Sequence, residues 1–296
     1  MAETLLTPGH TACQGCGEIL AARMAIQAAG PNVIVVQATG CLEITTSKYP
    51  QSAWRVPWIH SLFENTASVA SGIQAALRMM GTADGAKVIA QGGDGAFADI
   101  GFGALSGTWE RGDNVLSICY DNEAYMNTGI QRSGLTPTLA YTSTTPTGSK
   151  QLGNLRPKKD LISIALAHGV PYVASATPAY PRDIERKVKR AMSIDGPSYI
   201  HLHSPCPLGW GFDGAKTIEV AKLAVQTGLF PVVEFVDGEL VSWTRVVRPD
   251  PAEHYLQAQR RFRHILEPRN EEAIAQIQAV ADANIRRYHL TESPPK

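Results

Sequence analysis

Two hydrophobic periods alternate along most of this chain. Stretches whose apolar positions recur every three to four residues predict amphipathic helices, and short continuous β-branched runs predict strands buried on both faces. Read this way, Glu18 to Ala29 is a helix and Asn32 to Ala38 (NVIVVQA) a buried strand. Asn65 to Met80 is a second helix, and Lys87 to Gln91 a short strand that runs into Gly92-Gly93-Asp94-Gly95. A third helix follows over Ala98 to Glu110, then the strand Asn114 to Tyr120 (NVLSICY). Beyond a gap come a helix near Asp160 to His168, a strand at Tyr172 to Ser175, a helix at Arg182 to Ser193 and a strand at Ser198 to His203. This βαβα order predicts an α/β fold: a mostly parallel sheet with helices on both faces and ligands at the carboxyl ends of its strands.

Two stretches depart from that rhythm. Ser133 to Gly153 is crowded with Thr, Ser, Gly and Pro and shows no period, so it reads as a long loop, and loops of that length are usually functional or mobile. From about Thr217 a helix to Thr227, a hairpin around Asp237-Gly238 and a charged helical tail follow. The expected division is therefore a cofactor-binding unit over residues 1–215 and an extension over 216–296 suited to subunit contacts. No internal repeat or low-complexity tract stands out.

Composition narrows the function. In 296 residues, 27 Lys and Arg cancel 27 Asp and Glu, and zero net charge argues against nucleic acid as the main partner. A 44% hydrophobic share excludes wholesale disorder, and no apolar run approaches the roughly 18 residues of a spanning helix. The start of the chain, MAETLLTPGHTACQGCGE, lacks the charged region and apolar stretch of a signal peptide. A cytoplasmic setting is expected, where paired cysteines more often mean metal or redox chemistry than disulfides.

Two constellations carry candidate chemistry. Cys13-x-x-Cys16 can share one metal centre, while Cys41 and Cys206 each follow a predicted strand and so reach the same sheet edge. Four converging thiolates suit an iron–sulfur cluster or a structural zinc; the competing reading is one redox pair plus scattered core cysteines. Cys119, inside an apolar strand, reads as a buried structural thiol. The second constellation pairs Gly93-Asp94-Gly95 with Tyr120-Asp121-Asn122, twenty-eight residues later, at the end of the next strand. Glycines allow close approach to a pyrophosphate, Asp94 and Asn122 offer the hard oxygens magnesium prefers, and a downstream carbonyl such as that of Ala124 adds a third. A lone Gly-Asp-Gly is also an ordinary turn; an Asn one crossover later makes the pair similar to the signature of thiamine-diphosphate enzymes.

The segments HTACQGCGEIL, VVQATGCLE, SLFEN, GGDGAFADIG, YDNEAYMNTGIQRSG and CPLGW together resemble the β subunit of 2-oxoacid:ferredoxin oxidoreductases of the pyruvate type. The resemblance runs from about residue 8 to about 230, with a weaker echo to His264. It implies that Cys13, Cys16, Cys41 and Cys206 bind a four-iron, four-sulfur (4Fe-4S) cluster, which decides against zinc. It also implies that Asp94, Asn122 and the Ala124 carbonyl hold Mg2+ on thiamine diphosphate. Gly93 and Gly95 would line the diphosphate, Glu18 and Cys41 would approach the cofactor, and Asn127 would sit beside its reactive ring as the catalytic contact. The family often has Thr where this chain has Asn122; both supply a side-chain oxygen.

The implied activity is decarboxylation of a 2-oxoacid to acyl-CoA and CO2, with electrons leaving through the cluster to ferredoxin or a similar acceptor. YMNTGIQRSG resembles the pyruvate branch, although branched-chain, aryl (phenylglyoxylate) and oxalate-using relatives share those residues. The carboxylate that activates thiamine's aminopyrimidine comes in this family from a separate domain that does not fit here. An α subunit is therefore expected to complete the site, with γ and δ subunits carrying further clusters and coenzyme A contacts, since no two-cluster ferredoxin run occurs. Rival readings are a cluster-free thiamine-dependent lyase or synthase and a non-enzymatic zinc- or cluster-bearing scaffold. Trp54 and Trp58 shield the site or pack at an interface, His201 and His203 are satisfied polar residues near it, and Arg260 to Arg263 is a solvated or interface helix face.

Overall fold

The computed structural model describes residues 4–82, 85–148 and 151–295. Among the described residues there are ten strands: β1 (Val33–Ala38), β2 (Trp58–Ser61), β3 (Lys87–Gly93), β4 (Val115–Asp121), β5 (Thr147–Gly148), β6 (Gln151–Leu152), β7 (Tyr172–Ala176), β8 (Ser198–His203), β9 (Val233–Val236) and β10 (Glu239–Trp243). Eight form one sheet in the order β10-β9-β7-β8-β4-β3-β1-β2, and β5 with β6 makes a small separate ribbon. From β2 to β7 every pairing is parallel; the β9–β10 hairpin adds antiparallel to β7. The expected mostly parallel sheet is therefore observed.

The helices are α1 (Gly17–Ala29), α2 (Cys41–Thr46), α3 (Thr66–Met79), α4 (Phe102–Glu110), α5 (Leu161–Ala167), α6 (Pro181–Ser193), α7 (Pro207–Trp210), α8 (Thr217–Gln226), α9 (Ala252–Gln257), α10 (Arg263–Leu266) and α11 (Glu271–Arg287). Successive strand residues face opposite cores, as a period of two dictates. Val35, Ile89 and Ile118 join α1 and α6 residues in one cluster, while Val36, Val88, Ala90 and Cys119 join α3, α4 and α5 residues in the other. Every residue of β4 is buried, which explains its unbroken apolar run.

Four features differ from the sequence reading. α2 and β2 have no counterpart in it, because six and four residues are too few to display a period. Gly92 and Gly93 continue β3 rather than leaving it. The helix expected from Ala98 is split: a π-helical turn over Gly95–Asp99, with Ile100 N–H bonded to the Gly95 carbonyl at 3.1 Å, precedes α4. The Ser133–Gly153 loop carries both strands of the β5–β6 ribbon, and its residues 149–150 lie outside the described ones. The segment after 216 shares the sheet through β9 and β10, and Phe235, Tyr255 and Tyr288 sit in the same hydrophobic cluster as Val36 and Leu161.

Candidate active site

Because β8, β4, β3 and β1 lie side by side and point the same way, their carboxyl ends deliver the candidate residues to one rim. β1 leads through Thr39-Gly40 into Cys41, β3 into Asp94, β4 into Asn122, and β8 through Ser204-Pro205 into Cys206. The Cys13–Cys16 turn reaches this rim because Gly17 packs directly against Pro205, donating its N–H to the Pro205 carbonyl at 3.0 Å. Gly15 holds the turn with φ of 72°, and a side chain there would come within 2.2 Å of the Gly214 carbonyl oxygen.

A cavity of about 340 Å³ results, lined by all four expected cysteines together with Glu18, Asn122 and Asn127. The thiols are free; Cys13 is exposed and the other three half-buried. Burial pushes the Cys16 thiol up to about 12 and the Cys206 thiol up to about 11, and burial and then Glu18 push Cys41 upward as well. In the polypeptide alone the cavity thus resists negative charge, the condition a cationic metal centre reverses when it deprotonates its thiols. Among the described residues no three His, Cys, Asp or Glu side chains close on one single-ion centre. A 4Fe-4S cluster is a different ligand class, held by four Cys thiolates, and Cys13, Cys16, Cys41 and Cys206 would be the four here.

Glu18 and Asn122 bring a carboxyl and an amide to the same cavity. Glu18 is buried at the start of α1, accepts from Asn122 Nδ2 at 3.0 Å and from the Leu42 backbone, and burial raises its carboxyl to about 7. That contact leaves Asn122 Oδ1 buried with no hydrogen-bond partner among the described residues, an oxygen suited to a metal. Asp94 is not among the residues lining this cavity; it is 2% exposed and hydrogen-bonded by Ser133 Oγ. Burial and the neighbouring Asp121 carboxylate hold its carboxyl well above the usual range, again a place where a divalent cation restores the charge. Gly93 faces open space where a side chain would otherwise stand, while a Cβ on Gly95 would lie 2.3 Å from the Tyr125 ring. Ala124 is buried two residues past Asn122, and Asn127 is exposed at the cavity. The unpartnered Asn122 oxygen and the buried Asp94 carboxyl are donors of the kind a divalent cation takes, and the four cavity thiols are donors of the kind a cluster takes.

Sequence reasoning missed the ionic frame around Asn122. Lys158 Nζ bridges Asp121 Oδ2 at 2.5 Å and Glu123 Oε1 at 2.6 Å, and Arg261 pairs with the other Glu123 oxygen. Burial opposes charge on both carboxylates, but Lys158 outweighs it, with His201 at Asp121 and Arg261 at Glu123, so both stay ionised. Arg261 corrects the expectation of a solvated or interface Arg260–Arg263 face: it is 4% exposed, with its guanidinium 4.0 Å from the Trp210 ring. A buried partner 138 residues away leaves no local signal. His201 is satisfied as expected, by Asp121 at 2.8 Å and Tyr199 at 2.8 Å, whereas buried His203 Nδ1 has no partner. Trp54 and Trp58 stack at 6.5 Å, and Cys119 is fully buried.

A glycine-lined Asp94 and an Asn one crossover later, at the carboxyl edge of a parallel sheet, define a thiamine-diphosphate-binding enzyme subunit. Residues 38–202 match the family of the thiamine pyrophosphate enzyme C-terminal TPP binding domain. The chain is 53% identical to pyruvate synthase subunit PorB of Methanosarcina barkeri, covering 97% of this chain and 98% of that one. It is 47% identical to ketoisovalerate oxidoreductase subunit VorB of Pyrococcus abyssi, over 87% and 85% of the two chains. A solved 2-oxoglutarate:ferredoxin oxidoreductase from Magnetococcus marinus shares the fold, with a TM-score of 0.56 at 23% identity over 73% of this chain and 77% of that one. The chain belongs to the β-subunit family of thiamine-dependent 2-oxoacid oxidoreductases.

Proposed function

We propose that this chain is the cofactor-bearing catalytic subunit of a CoA-acylating pyruvate:ferredoxin oxidoreductase. The observation that carries the reading is the single cavity shared by Cys13, Cys16, Cys41 and Cys206 with Glu18, Asn122 and Asn127. When bound, thiamine diphosphate supplies the carbanion-stabilising centre for decarboxylation of a 2-oxoacid, and a 4Fe-4S cluster supplies a one-electron carrier beside it. Asp94, Asn122 Oδ1 and the Ala124 carbonyl would hold Mg2+, and Gly93 leaves the backbone open to the diphosphate. Glu18 fixes the Asn122 amide through Nδ2, which would leave its oxygen available to the metal. Asn127, exposed at the cavity, is the hydrogen-bonding group available to the substrate's carbonyl or carboxylate. The four thiols would take the cluster, with the apolar side chains of Ile19, Leu42, Met126 and Leu208 lining the same cavity.

Pyruvate is the substrate of this reading because the PorB chains of Methanosarcina, Methanothermobacter and Methanocaldococcus are 50–53% identical to this one; a branched-chain 2-oxoacid is the alternative, since in Pyrococcus furiosus PorB is 44% and VorB 46% identical. A cluster-free lyase has no use for four thiols around one cavity. The reading includes an α subunit that completes the thiamine site, γ and δ subunits, coenzyme A, a ferredoxin-like acceptor and a cytoplasmic setting. No helix among the described residues is long and apolar enough to cross a membrane. The extension over 216–296 is proposed to contribute subunit contacts.

The test is anaerobic co-purification with the partner chains, followed by viologen reduction over a panel of 2-oxoacids with coenzyme A. Iron and sulfide near four per β chain, bound thiamine diphosphate and preference for pyruvate are expected. Colourless, iron-free β chain sinks the redox assignment, and preference for a branched-chain acid overturns the substrate. Asp94→Ala should abolish thiamine diphosphate retention and spare the cluster spectrum, while Cys206→Ala should do the reverse.

A further inference from the structure

We propose that Arg261 is a positioning residue that clamps the Asn122 loop to the turn carrying Cys206, so that one buried cation holds the metal-diphosphate site and the cluster site in register. The inference rests on the cofactor reading above and assigns a role to a residue outside both ligand sets.

Three contacts build the clamp. Trp210, fully buried, donates its indole N–H to the Asn122 carbonyl at 2.8 Å. The same Trp210 donates its backbone N–H to the Cys206 carbonyl at 2.9 Å, closing the turn of α7 that Cys206 caps. Arg261 then lies 4.0 Å over the Trp210 ring while its Nη2 pairs with Glu123, the residue after Asn122. One guanidinium therefore touches both the ring that links the two sites and the chain beside Asn122. Its Nε is fixed by Gln259 Oε1 at 2.9 Å, so the plane is set from behind.

The loop needs such a hold. Glu123 has φ of 69°, a conformation that side chains other than glycine adopt rarely, so the chain there relaxes unless the surroundings fix it. Thr136 Oγ1 bonds the Glu123 carbonyl at 2.7 Å, and Lys158 and Arg261 take its two carboxylate oxygens. Asp121 and Glu123 are buried anions flanking Asn122, balanced by Lys158 and Arg261. Without Arg261, Glu123 keeps only Lys158, which it already shares with Asp121, and the pairing that sets the Asn122 backbone changes. Lysine cannot replace the guanidinium fully, because stacking on Trp210 and pairing with Glu123 together require a flat, forked cation.

The experiment uses the complete complex, purified anaerobically, with Arg261→Met, Arg261→Lys, Trp210→Phe and the exposed neighbour Arg263→Met as control. The readouts are the dissociation constant for thiamine diphosphate with Mg2+ on cofactor-stripped complex, iron and sulfide per β chain, and the melting temperature. Arg261→Met should weaken Mg2+-dependent thiamine diphosphate binding about tenfold and lower iron retention. Trp210→Phe, which keeps an aromatic ring and removes one hydrogen bond, should weaken binding about fivefold. Arg261→Lys should fall between Arg261→Met and wild type, and Arg263→Met should match wild type. A variant combining Arg261→Met with Trp210→Phe should lose less than the product of the two single losses, since both act on one link. A merely structural arginine would lower the melting temperature and leave the dissociation constant unchanged at an assay temperature where the complex is folded; that result overturns the proposal. If Arg261→Met does not accumulate as folded complex, Arg261→Lys and Trp210→Phe decide by the same criterion. Wild-type complex with no Mg2+-dependent thiamine diphosphate binding would overturn the cofactor reading itself, and this inference with it.

Discussion

Gly17→Ala tests how the cysteines are brought together. Gly17 is buried between Cys16 and Glu18, and a Cβ there would stand 2.7 Å from the Pro205 carbonyl oxygen and 2.8 Å from the Pro205 nitrogen. Ordinary contact begins near 3.4 Å, so the segments must part by about 0.7 Å. Their 3.0 Å hydrogen bond would then lengthen to about 3.7 Å, beyond bonding range, at a cost of about 1 kcal/mol. Overpacking adds about 1–3 kcal/mol, so a total loss of about 2–4 kcal/mol is expected. Cys16 and Cys206 are the residues flanking this contact, so their sulfurs separate as the chains do. The assays are thermal melting and iron and sulfide content after anaerobic purification, with Gly103→Ala as control. Gly103 is exposed in α4 with no atom within 4 Å of an added Cβ, and Ala in a helix gains up to about 1 kcal/mol. Gly17→Ala is expected to melt lower and lose iron, and Gly103→Ala to do neither. Full iron and an unchanged melting temperature in Gly17→Ala would refute the claim that this backbone approach assembles the cysteine cavity.

Other outcomes follow from the same geometry. Cys119→Ala should cost about 1–2 kcal/mol for the small void and leave iron content unchanged, because Cys119 is buried in β4 away from the cavity; iron loss with an intact melting temperature would contradict its structural role. Burial lowers His203 from 6.5 to about 4. Between those values the unfolded chain binds a proton that the folded one refuses, so this residue's contribution to stability falls as pH drops from 6.5 toward 4. Urea midpoints at pH 7 and pH 5 should differ less in His203→Gln than in wild type, and an equal difference would contradict a neutral buried imidazole. Gly95→Ala should displace Tyr125, whose hydroxyl bonds Asp99 at 3.0 Å, and weaken Mg2+-dependent thiamine diphosphate binding; unchanged affinity would show that the π-helical turn tolerates a side chain.

Hydrophobic periodicity by itself determined the alternation of helices and strands, and hence a mostly parallel sheet, because burial on both faces forces β-branched runs such as Val33 to Ala38 and Val115 to Tyr120. Chemistry with short spacing was equally legible: Cys13 and Cys16 share a turn, and Asp94 and Asn122 close adjacent strands across one crossover. What lacked a local period was invisible, as with the two short elements α2 and β2 and the π-helical turn whose apolar positions imitate an α-helix. Only the tertiary structure decided the pairings between distant residues. Glu18 with Asn122, Gly17 with Pro205, and Arg261 with Glu123 and Trp210 join segments whose sequences carry no mark of one another. A buried charge is tolerated only where an opposite one meets it, and that meeting is a property of the folded chain, so an arginine that composition assigns to a solvated surface becomes part of the frame around the site.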